Sequence, residues 1–113
     1  MLVPYKQEYE KIAMGLLSFM PDEKKVKHLQ QTIEQYKELE NAHLYLWKEE
    51  SYIGVIGVET CEEGIFLKDL SVNPSYRNEG IATKMIDSLE EKLNVTLQGS
   101  KYTKEFLDKC RND

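Results

Sequence analysis

LSVNPSYRNEGIA, at residues 70–82, joins a β-rich run to a helical pattern. Asn73-Pro74 forces the chain out of the strand, because proline donates no ladder hydrogen bond and biases its predecessor away from helix. Gly80 leaves the backbone uncovered just before the helix begins. Unpaired N–H groups and the positive end of the helix dipole converge there. The stretch therefore predicts a loop that suits a pyrophosphate, and Arg77 adds a permanent cation.

A strand–turn–helix connection with one glycine is also common in proteins that bind nothing there. The short pattern Arg-x-x-Gly-x-Ala at residues 77–82 fits either interpretation. The whole string, Leu-x-Val-x-Pro-x-Tyr-Arg-x-x-Gly-x-Ala, is more specific. It resembles the acetyl-CoA-binding signature of the GNAT family of N-acetyltransferases.

In that family the last residues of the strand offer backbone groups to the pantetheine arm of acetyl-CoA, and the loop wraps the pyrophosphate. The resemblance therefore implies that acetyl-CoA is the co-substrate. It implies a cofactor site of three strand residues, a loop with the start of its helix, and one residue of the last helix. These are Leu70, Ser71 and Val72; Arg77, Asn78, Glu79, Gly80, Ile81, Ala82 and Thr83; and Phe106.

The length of 113 residues predicts a single domain spanning residues 1–113. A net charge of -5 argues against sequence-independent binding of nucleic acid. No apolar run approaches the roughly 20 residues that span a bilayer, and no signal peptide begins the chain. We therefore expect a cytoplasmic protein with no membrane partner. The spacing of Cys61, Cys110, His28 and His43 predicts neither a disulfide framework nor a metal site.

Hydrophobic periodicity predicts a mixed α/β chain in the order β-α-α-β-β-β-α-β-α. An edge strand at residues 1–5 precedes a helix with an apolar stripe from Tyr9 through Ile12 to Met20. A second helix, capped by Asp22, has an apolar face from Val26 to Leu39, and we interpret the helix pair as scaffold.

Three strands at 43–47, 52–58 and 65–72 predict an antiparallel meander. Two glycines in the middle strand, Gly54 and Gly57, favour close packing or a bulge. Residues 94–97 are predicted to form a strand parallel to the motif strand, before a last helix. This order is that of the GNAT acetyltransferase fold.

Longer local matches are similar to a narrower group, the small acetyltransferase-like RibT proteins encoded in riboflavin operons of bacilli and their relatives. The matching segments are residues 12–21, 29–33, 46–49 and 56–59, and Phe106-x-x-x-Cys110. This resemblance implies a bacterial acetyltransferase and brings no established acceptor with it.

In the family an amine attacks the thioester directly, while a base removes its proton and an acid protonates the departing thiolate. Glu59, at the end of the strand before the motif strand, and Asp69, within the motif strand, are the candidate bases. The alternative for Glu59 is a solvated acidic turn with Glu62 and Glu63. Asp69 is expected on the sheet face opposite Leu70, where it would either pair with a lysine or line the acceptor site.

The acid is where the sequence departs from the family pattern. Leu107 stands where members often carry a tyrosine, and leucine has no proton to give. Cys110 is a candidate acid, with a buried core cysteine as the alternative. Tyr45, Trp47 and Tyr52 could form an aromatic wall of the acceptor pocket or pack across strands.

Family members continue after the last helix with two strands that help to floor the acceptor site, whereas this sequence stops at Asp113. We expect an acceptor cleft that is open, completed by a second subunit in a homodimer, or unsuited to small-molecule catalysis. The first interpretation is an N-acetyltransferase acting on a small-molecule or peptide amine. The alternative is a non-catalytic acyl-CoA-binding or regulatory module associated with riboflavin metabolism.

Overall fold

The computed structural model describes residues 1–19, 26–76 and 79–99, together with Thr103 and Leu107. Four predicted site residues lie outside the described residues: Arg77, Asn78, Phe106 and Cys110. The predicted helix cap Asp22 lies outside them as well.

Strands and helices follow the predicted order as far as the fifth strand. They are β1 (Leu2–Pro4), a 3₁₀ turn (Gln7–Tyr9), α1 (Glu10–Leu17), α2 (Val26–Glu38), β2 (Ala42–Lys48), β3 (Tyr52–Cys61), β4 (Gly64–Val72), a 3₁₀ turn (Pro74–Tyr76), α3 (Ile81–Leu93) and β5 (Gln98–Gly99). The sheet order is β1-β2-β3-β4-β5, antiparallel as far as β4, with β5 parallel to β4. The mixed α/β class, the edge strand, the meander and the parallel fifth strand are confirmed. None of the helices within the described ranges is long and apolar enough to cross a membrane.

Because side chains alternate along each strand, the sheet buries a separate apolar cluster on each face. The face under α3 is lined by Trp47, Ile53, Ile56, Val58, Leu67, Ile81, Met85, Ile86, Leu89, Leu97 and Leu107. The face under α1 and α2 is lined by Ala13, Leu16, Leu17, Leu29, Ile33, Leu44, Leu46 and Val55. The sheet is thus covered by helices on both sides, as its mostly apolar strands require.

The close packing predicted for Gly54 is present between β3 and α3. A Cβ atom built on Gly54 would lie 2.7 Å from Met85 Sδ and 3.4 Å from the carbonyl oxygen of Ser71. Glycine at this position lets α3 lie directly on the sheet. The start of α3 is therefore held at a fixed position relative to the end of β4.

The bounds predicted for the fifth strand, 94–97, are wrong, because these residues end α3 and lead into β5, which is Gln98–Gly99. Asn94 adopts the left-handed conformation, with φ 55°, and caps the helix. The N–H of Val95 donates to the backbone carbonyl of Glu90 at 3.1 Å, and the N–H of Leu97 donates to the side-chain carboxylate of Glu90 at 2.7 Å. These bonds satisfy backbone groups at the helix end, so pairing with β4 begins only at Gln98.

The apolar stripe predicted for the first helix is also partly wrong. Ala13, Leu16 and Leu17 are buried, but Ile12 is 38% exposed. Leu39, predicted on the apolar face of the second helix, lies beyond its end and is 44% exposed. Both predictions treated periodic apolar residues as core, although single apolar side chains at a surface are ordinary.

Candidate active site

Strand β4 loses its β5 partner partway along its length. As described, β5 pairs only with Phe66 and Leu67, so the outer edge of β4 is unpaired from Lys68 to Val72 within the described ranges. The buried hydroxyl of Thr103 donates to the carbonyl oxygen of Leu67 at 2.6 Å. This bond satisfies a carbonyl at the last position where pairing of β4 with β5 is described.

The ladder between β3 and β4 determines which backbone groups face the open edge. The N–H of Asn73 donates to the carbonyl of Ile53 at 2.8 Å. Hydrogen-bonded and non-bonded pairs alternate in an antiparallel ladder, so Ser71 is also bonded to β3. The N–H and C=O groups of Leu70 and Val72 consequently point away from β3. They are the backbone groups of β4 that an extended ligand could meet.

A β-bulge marks the start of the open edge. Gly57 pairs with Asp69, whereas the next residue of β3 pairs with Leu67, which leaves Lys68 as the extra residue. The bulge explains why Leu67 and Leu70, three residues apart, both contact the α3 cluster. Asp69 lies on the opposite face, as predicted, under α1 and α2.

Asp69 is bound there by a tyrosine of α2. The hydroxyl of Tyr36 donates to Asp69 Oδ2 at 2.5 Å. Gly57 makes room for this contact, because a Cβ atom at that position would overlap the Tyr36 hydroxyl. Burial raises the pKa of the Asp69 carboxyl, while the Tyr36 hydrogen bond and the charge of Lys68 act to lower it. Of the two alternatives expected for Asp69, the lysine pair is not seen among the described residues, where its carboxyl accepts a hydrogen bond from a phenol instead.

Glu59 lies within β3 rather than in a solvated turn, and it contacts the bulge through an ion pair. Its Oε2 is 3.5 Å from Lys68 Nζ, with the two side chains 34% and 43% exposed. Glu59 pairs with Phe66, where β4 is still joined to β5. Of the two candidate bases, Asp69 therefore lies beside the open edge and Glu59 beside the closed part of the strand.

Two predicted cofactor residues use their side chains for packing. The Ser71 hydroxyl donates to the carbonyl oxygen of Leu16 at 2.5 Å in a buried contact that ties the end of α1 to β4. Ile81 is only 3% exposed and belongs to the α3 cluster. Any contact between Ile81 and a ligand would therefore use its backbone N–H group.

The start of α3 has the geometry of an accessible helix N-terminus. Gly80 adopts the left-handed conformation, with φ 72°, and among the described residues no atom beyond its chain neighbours lies within 4 Å of the position that its Cβ would occupy. Glu79 and Gly80 are exposed, and Ala82 and Thr83 are half-buried. The first N–H groups of a helix have no partner within it, so they face the space beside Gly80.

The three aromatic residues suggested as a pocket wall do not share a surface. Tyr45 and Trp47 contact the α3 cluster, whereas Tyr52 contacts the cluster under α1 and α2. Tyr52 packs against Tyr9 instead, with ring centroids 5.2 Å apart. The wall hypothesis is wrong, because the alternation of β2 and β3 sends these side chains to opposite faces.

The position that lacks the family tyrosine is part of the core. Leu107 is 1% exposed within the α3 cluster, and its N–H donates to the carbonyl of Thr103 at 2.9 Å. Its side chain thus supports packing and has no acidic proton.

Comparison with known proteins identifies the class. The acetyltransferase (GNAT) family model matches residues 8–102. The chain is 47% identical over 113 residues to the "uncharacterized N-acetyltransferase in lysA 3'region" of Bacillus methanolicus, covering 97% of this chain and 94% of that protein. The chain therefore belongs to the GNAT acetyltransferase family. The non-catalytic alternative is not favoured, and the narrower riboflavin-operon resemblance is not confirmed.

Solved structures show the same fold. The apo aminoglycoside 6'-N-acetyltransferase AAC(6')-IG from Acinetobacter haemolyticus matches with a TM-score of 0.73 and 17% identity, over 99% of this chain and 86% of that one. AAC(6')-Iy, in complex with the bisubstrate analog CoA-S-monomethyl-acetylneamine, matches with a TM-score of 0.73 and 12% identity, over 96% and 84%. At these identities the likeness shows the fold.

The sequence does not indicate three residues that support the site through contacts with β4 or Asp69. The sequence patterns place Tyr36 on a scaffold helix and give no indication of a role for Lys68 or Thr103. The one available signal was Gly57, for which a bulge or close packing was predicted. Its actual partner, the Tyr36 hydroxyl, comes from a helix 21 residues earlier in the chain.

Proposed function

We propose that this protein transfers an acetyl group from acetyl-CoA to an amine of a small molecule or peptide. The observation that carries the proposal is the open edge of β4, which leads to the accessible N-terminus of α3. An extended pantetheine arm needs hydrogen-bonding backbone groups along one side, and a pyrophosphate needs converging N–H groups at its end. The orientation of Leu70 and Val72 and the left-handed Gly80 support both parts.

The donor site in this proposal has three parts. Leu70 and Val72 bind the pantetheine arm, and the N–H of Leu70 stabilises the negative charge that develops on the thioester oxygen. Ser71 contributes by fixing α1 against β4. The pyrophosphate is bound by the loop and first helical turn, and Phe106 packs against the donor. The loop residues are Arg77, Asn78, Glu79, Gly80, Ile81, Ala82 and Thr83.

In the reaction the amine nitrogen bonds to the thioester carbonyl carbon, and the carbon–sulfur bond breaks. We assign the proton of the amine to Asp69 rather than Glu59, because Asp69 lies directly before Leu70 at the open edge. Burial raises the pKa of the Asp69 carboxyl towards the range of a useful base. Cys110 is the candidate that protonates the departing thiolate. Orientation of the two substrates supplies a further part of the rate.

The wider setting is also part of the proposal. The chain acts as one domain of residues 1–113 in the cytoplasm, without nucleic-acid or membrane partners, and we include a homodimer in the proposal. Membership of the RibT group, with a link to riboflavin metabolism, rests on the local sequence matches.

Thermal unfolding with acetyl-CoA and CoA tests the donor site, with ATP and FMN as comparisons. Ligand at about 100 times its dissociation constant stabilises the native state by about 2.7 kcal/mol. For a domain of this size the midpoint should rise by roughly 10 °C. Release of free thiol with a panel of amines then tests the transfer. A shift with CoA but no thiol release from any amine would contradict the enzyme proposal.

Gly80→Glu should abolish the acetyl-CoA shift, because it places a carboxylate against the pyrophosphate. Gly80→Gln is the matched control, since it carries the same backbone cost and bulk without the charge. Gly80→Asn, which tolerates the left-handed conformation, should bind most like the wild type. Wild-type affinity in Gly80→Glu would overturn the site assignment.

A further inference from the structure

The contact between Tyr36, Gly57 and Asp69 joins three elements that are distant in sequence. Tyr36 lies on α2, Gly57 on β3 and Asp69 on β4, and the phenol reaches the carboxyl only because residue 57 has no side chain. The bulge at Lys68 is required as well, because it turns Asp69 to this face just beyond the last described pairing of β4 with β5. Three local features, the Tyr36 phenol, the missing side chain at Gly57 and the bulge at Lys68, therefore agree on the placement of one carboxyl.

We infer that Tyr36 is a positioning residue for the acceptor side of the reaction, holding the Asp69 carboxyl across Gly57 in the orientation that receives the amine proton. The inference rests on the proposed function. Tyr36 occupies Oδ2, whereas Oδ1 has no hydrogen-bond partner among the described residues. An anchored oxygen and a free oxygen on one carboxylate fix the direction from which a proton can be accepted.

The proton balance is simple. One proton passes from the attacking nitrogen to Oδ1 of Asp69 as the nitrogen–carbon bond forms. Tyr36 keeps its own proton, because it donates a hydrogen bond throughout and never acts as the acid. Its contribution is orientation and stabilisation of the charged carboxylate.

The charged and titratable groups around Asp69 set the sign of the expected effect. Tyr36 faces it from α2, and Lys68 lies beside it on β4. From β3, Glu59 reaches this face through its 3.5 Å ion pair with Lys68. From α1, Glu10 is paired with Lys37 of α2 at 3.8 Å. Removing the Tyr36 hydroxyl removes a group that stabilises the carboxylate, so the pKa of Asp69 should rise.

The experiment compares pH profiles of kcat/KM for the acceptor in the wild type and Tyr36→Phe. The acid limb should move to higher pH in Tyr36→Phe, with the KM for acetyl-CoA unchanged. Asp69→Asn should lose about 10²- to 10⁴-fold in kcat/KM. Gly57→Ala, which displaces the phenol, should shift the limb in the same direction as Tyr36→Phe. An unmoved limb in Tyr36→Phe overturns the inference.

Tyr5→Phe is the matched control. It removes a phenolic hydroxyl on the same side of the sheet, and that hydroxyl is buried without a hydrogen-bond partner in the described part of the chain. Its acid limb should coincide with that of the wild type. Equal shifts in Tyr5→Phe and Tyr36→Phe would indicate a general packing effect and would overturn the inference.

A second readout does not need turnover. Carbon-13 NMR titration of the Asp69 carboxyl should give a higher midpoint in Tyr36→Phe than in the wild type, and equal midpoints overturn the inference. The two proposals fail differently. If the wild type acetylates amines but Tyr36→Phe changes neither the titration midpoint of Asp69 nor the acid limb of kcat/KM, only the role of Tyr36 is refuted. A wild type that binds acetyl-CoA without acetylating any amine refutes the proposed function.

Discussion

The two faces of the sheet differ in what they bury. The face under α3 is a continuous apolar cluster in which Leu67, Met85 and Leu89 are fully buried. The face under α1 and α2 also buries aliphatic residues, but it contains polar contacts as well. Tyr36 is bonded to Asp69, and Ser71 is bonded to the end of α1.

This difference separates support from chemistry. Apolar close packing holds α3, and with it the proposed pyrophosphate loop, in one position relative to β4. Directional hydrogen bonds on the other face orient individual polar groups, which packing alone cannot do. Strand β4 therefore connects a donor side held by apolar packing to an acceptor side on which hydrogen bonds orient individual polar groups.

The largest effect on stability is expected from Leu67→Ala on the α3 face. Leu67 is fully buried, so its truncation should lower the free energy of unfolding by about 2–5 kcal/mol. Leu44→Ala is the matched control on the other face, where Leu44 lines an open surface notch of about 230 Å³. It should cost less, because less enclosed cavity is created. Urea unfolding measures both, and equal losses would contradict the proposed difference between the faces.

Ser71→Ala should have a smaller but clear effect. It removes the hydroxyl donor of the Leu16 carbonyl, which still accepts from the N–H of Phe19 at 3.2 Å, so the loss should be that of one buried hydrogen bond, about 0.5–1.5 kcal/mol. Ser18→Ala is a close control, since the Ser18 hydroxyl donates to the carbonyl of Gly15 at 2.6 Å in an exposed contact. Water can replace that donor, so its loss should be within about 0.5 kcal/mol. Similar losses in both variants, measured by thermal unfolding, would show that burial of the Ser71 contact does not matter.

Most of the fold was predictable because it depends on local patterns. Alternation in β3 and β4, the break at Asn73-Pro74 and the stripe of α3 are each encoded within a few residues. The exception, the strand expected at 94–97, shows the limit of such patterns. Apolar Val95 and Leu97 fit a strand, but capping of α3 by Asn94 took precedence.

The candidate site was predictable only where a motif is contiguous. Leu70, Val72 and Gly80 lie in one stretch, and their backbone geometry follows from strand, proline and glycine. The partner of Asp69 was not predictable, because the contact with Tyr36 depends on how α2 crosses β3 and on a one-residue bulge. Neither feature leaves a periodic signal in the sequence.

The pH dependence of stability tests the polar face directly. Burial raises the pKa of Asp69 above its unfolded value, so the folded state binds the proton more tightly. Protonated Asp69 therefore contributes to the free energy of unfolding. This contribution is fully present below the pKa of Asp69 in the unfolded state and is lost as pH rises through its pKa in the folded state. The free energy of unfolding of the wild type should therefore fall relative to Asp69→Asn as pH rises from below 3.8 towards neutrality. A constant difference, measured by urea unfolding at several pH values, would contradict the shift.

Glu59→Gln should have the smallest effect on the free energy of unfolding, because its ion pair lies at the exposed side of the face under α1 and α2. The ion pair with Lys68 is about one-third exposed on the Glu59 side, so its loss should cost about 0.2–1 kcal/mol. Lys68→Met removes the other partner of the ion pair. The loss of unfolding free energy in each variant should shrink in 1 M salt, where the Debye length is about 3 Å and the ion pair is screened. In turnover, Glu59→Gln should keep the acid limb that Asp69→Asn loses, because Glu59 lies where β4 is still paired with β5. The reverse result would move the base from Asp69 to Glu59 and make the buried phenol contact purely structural.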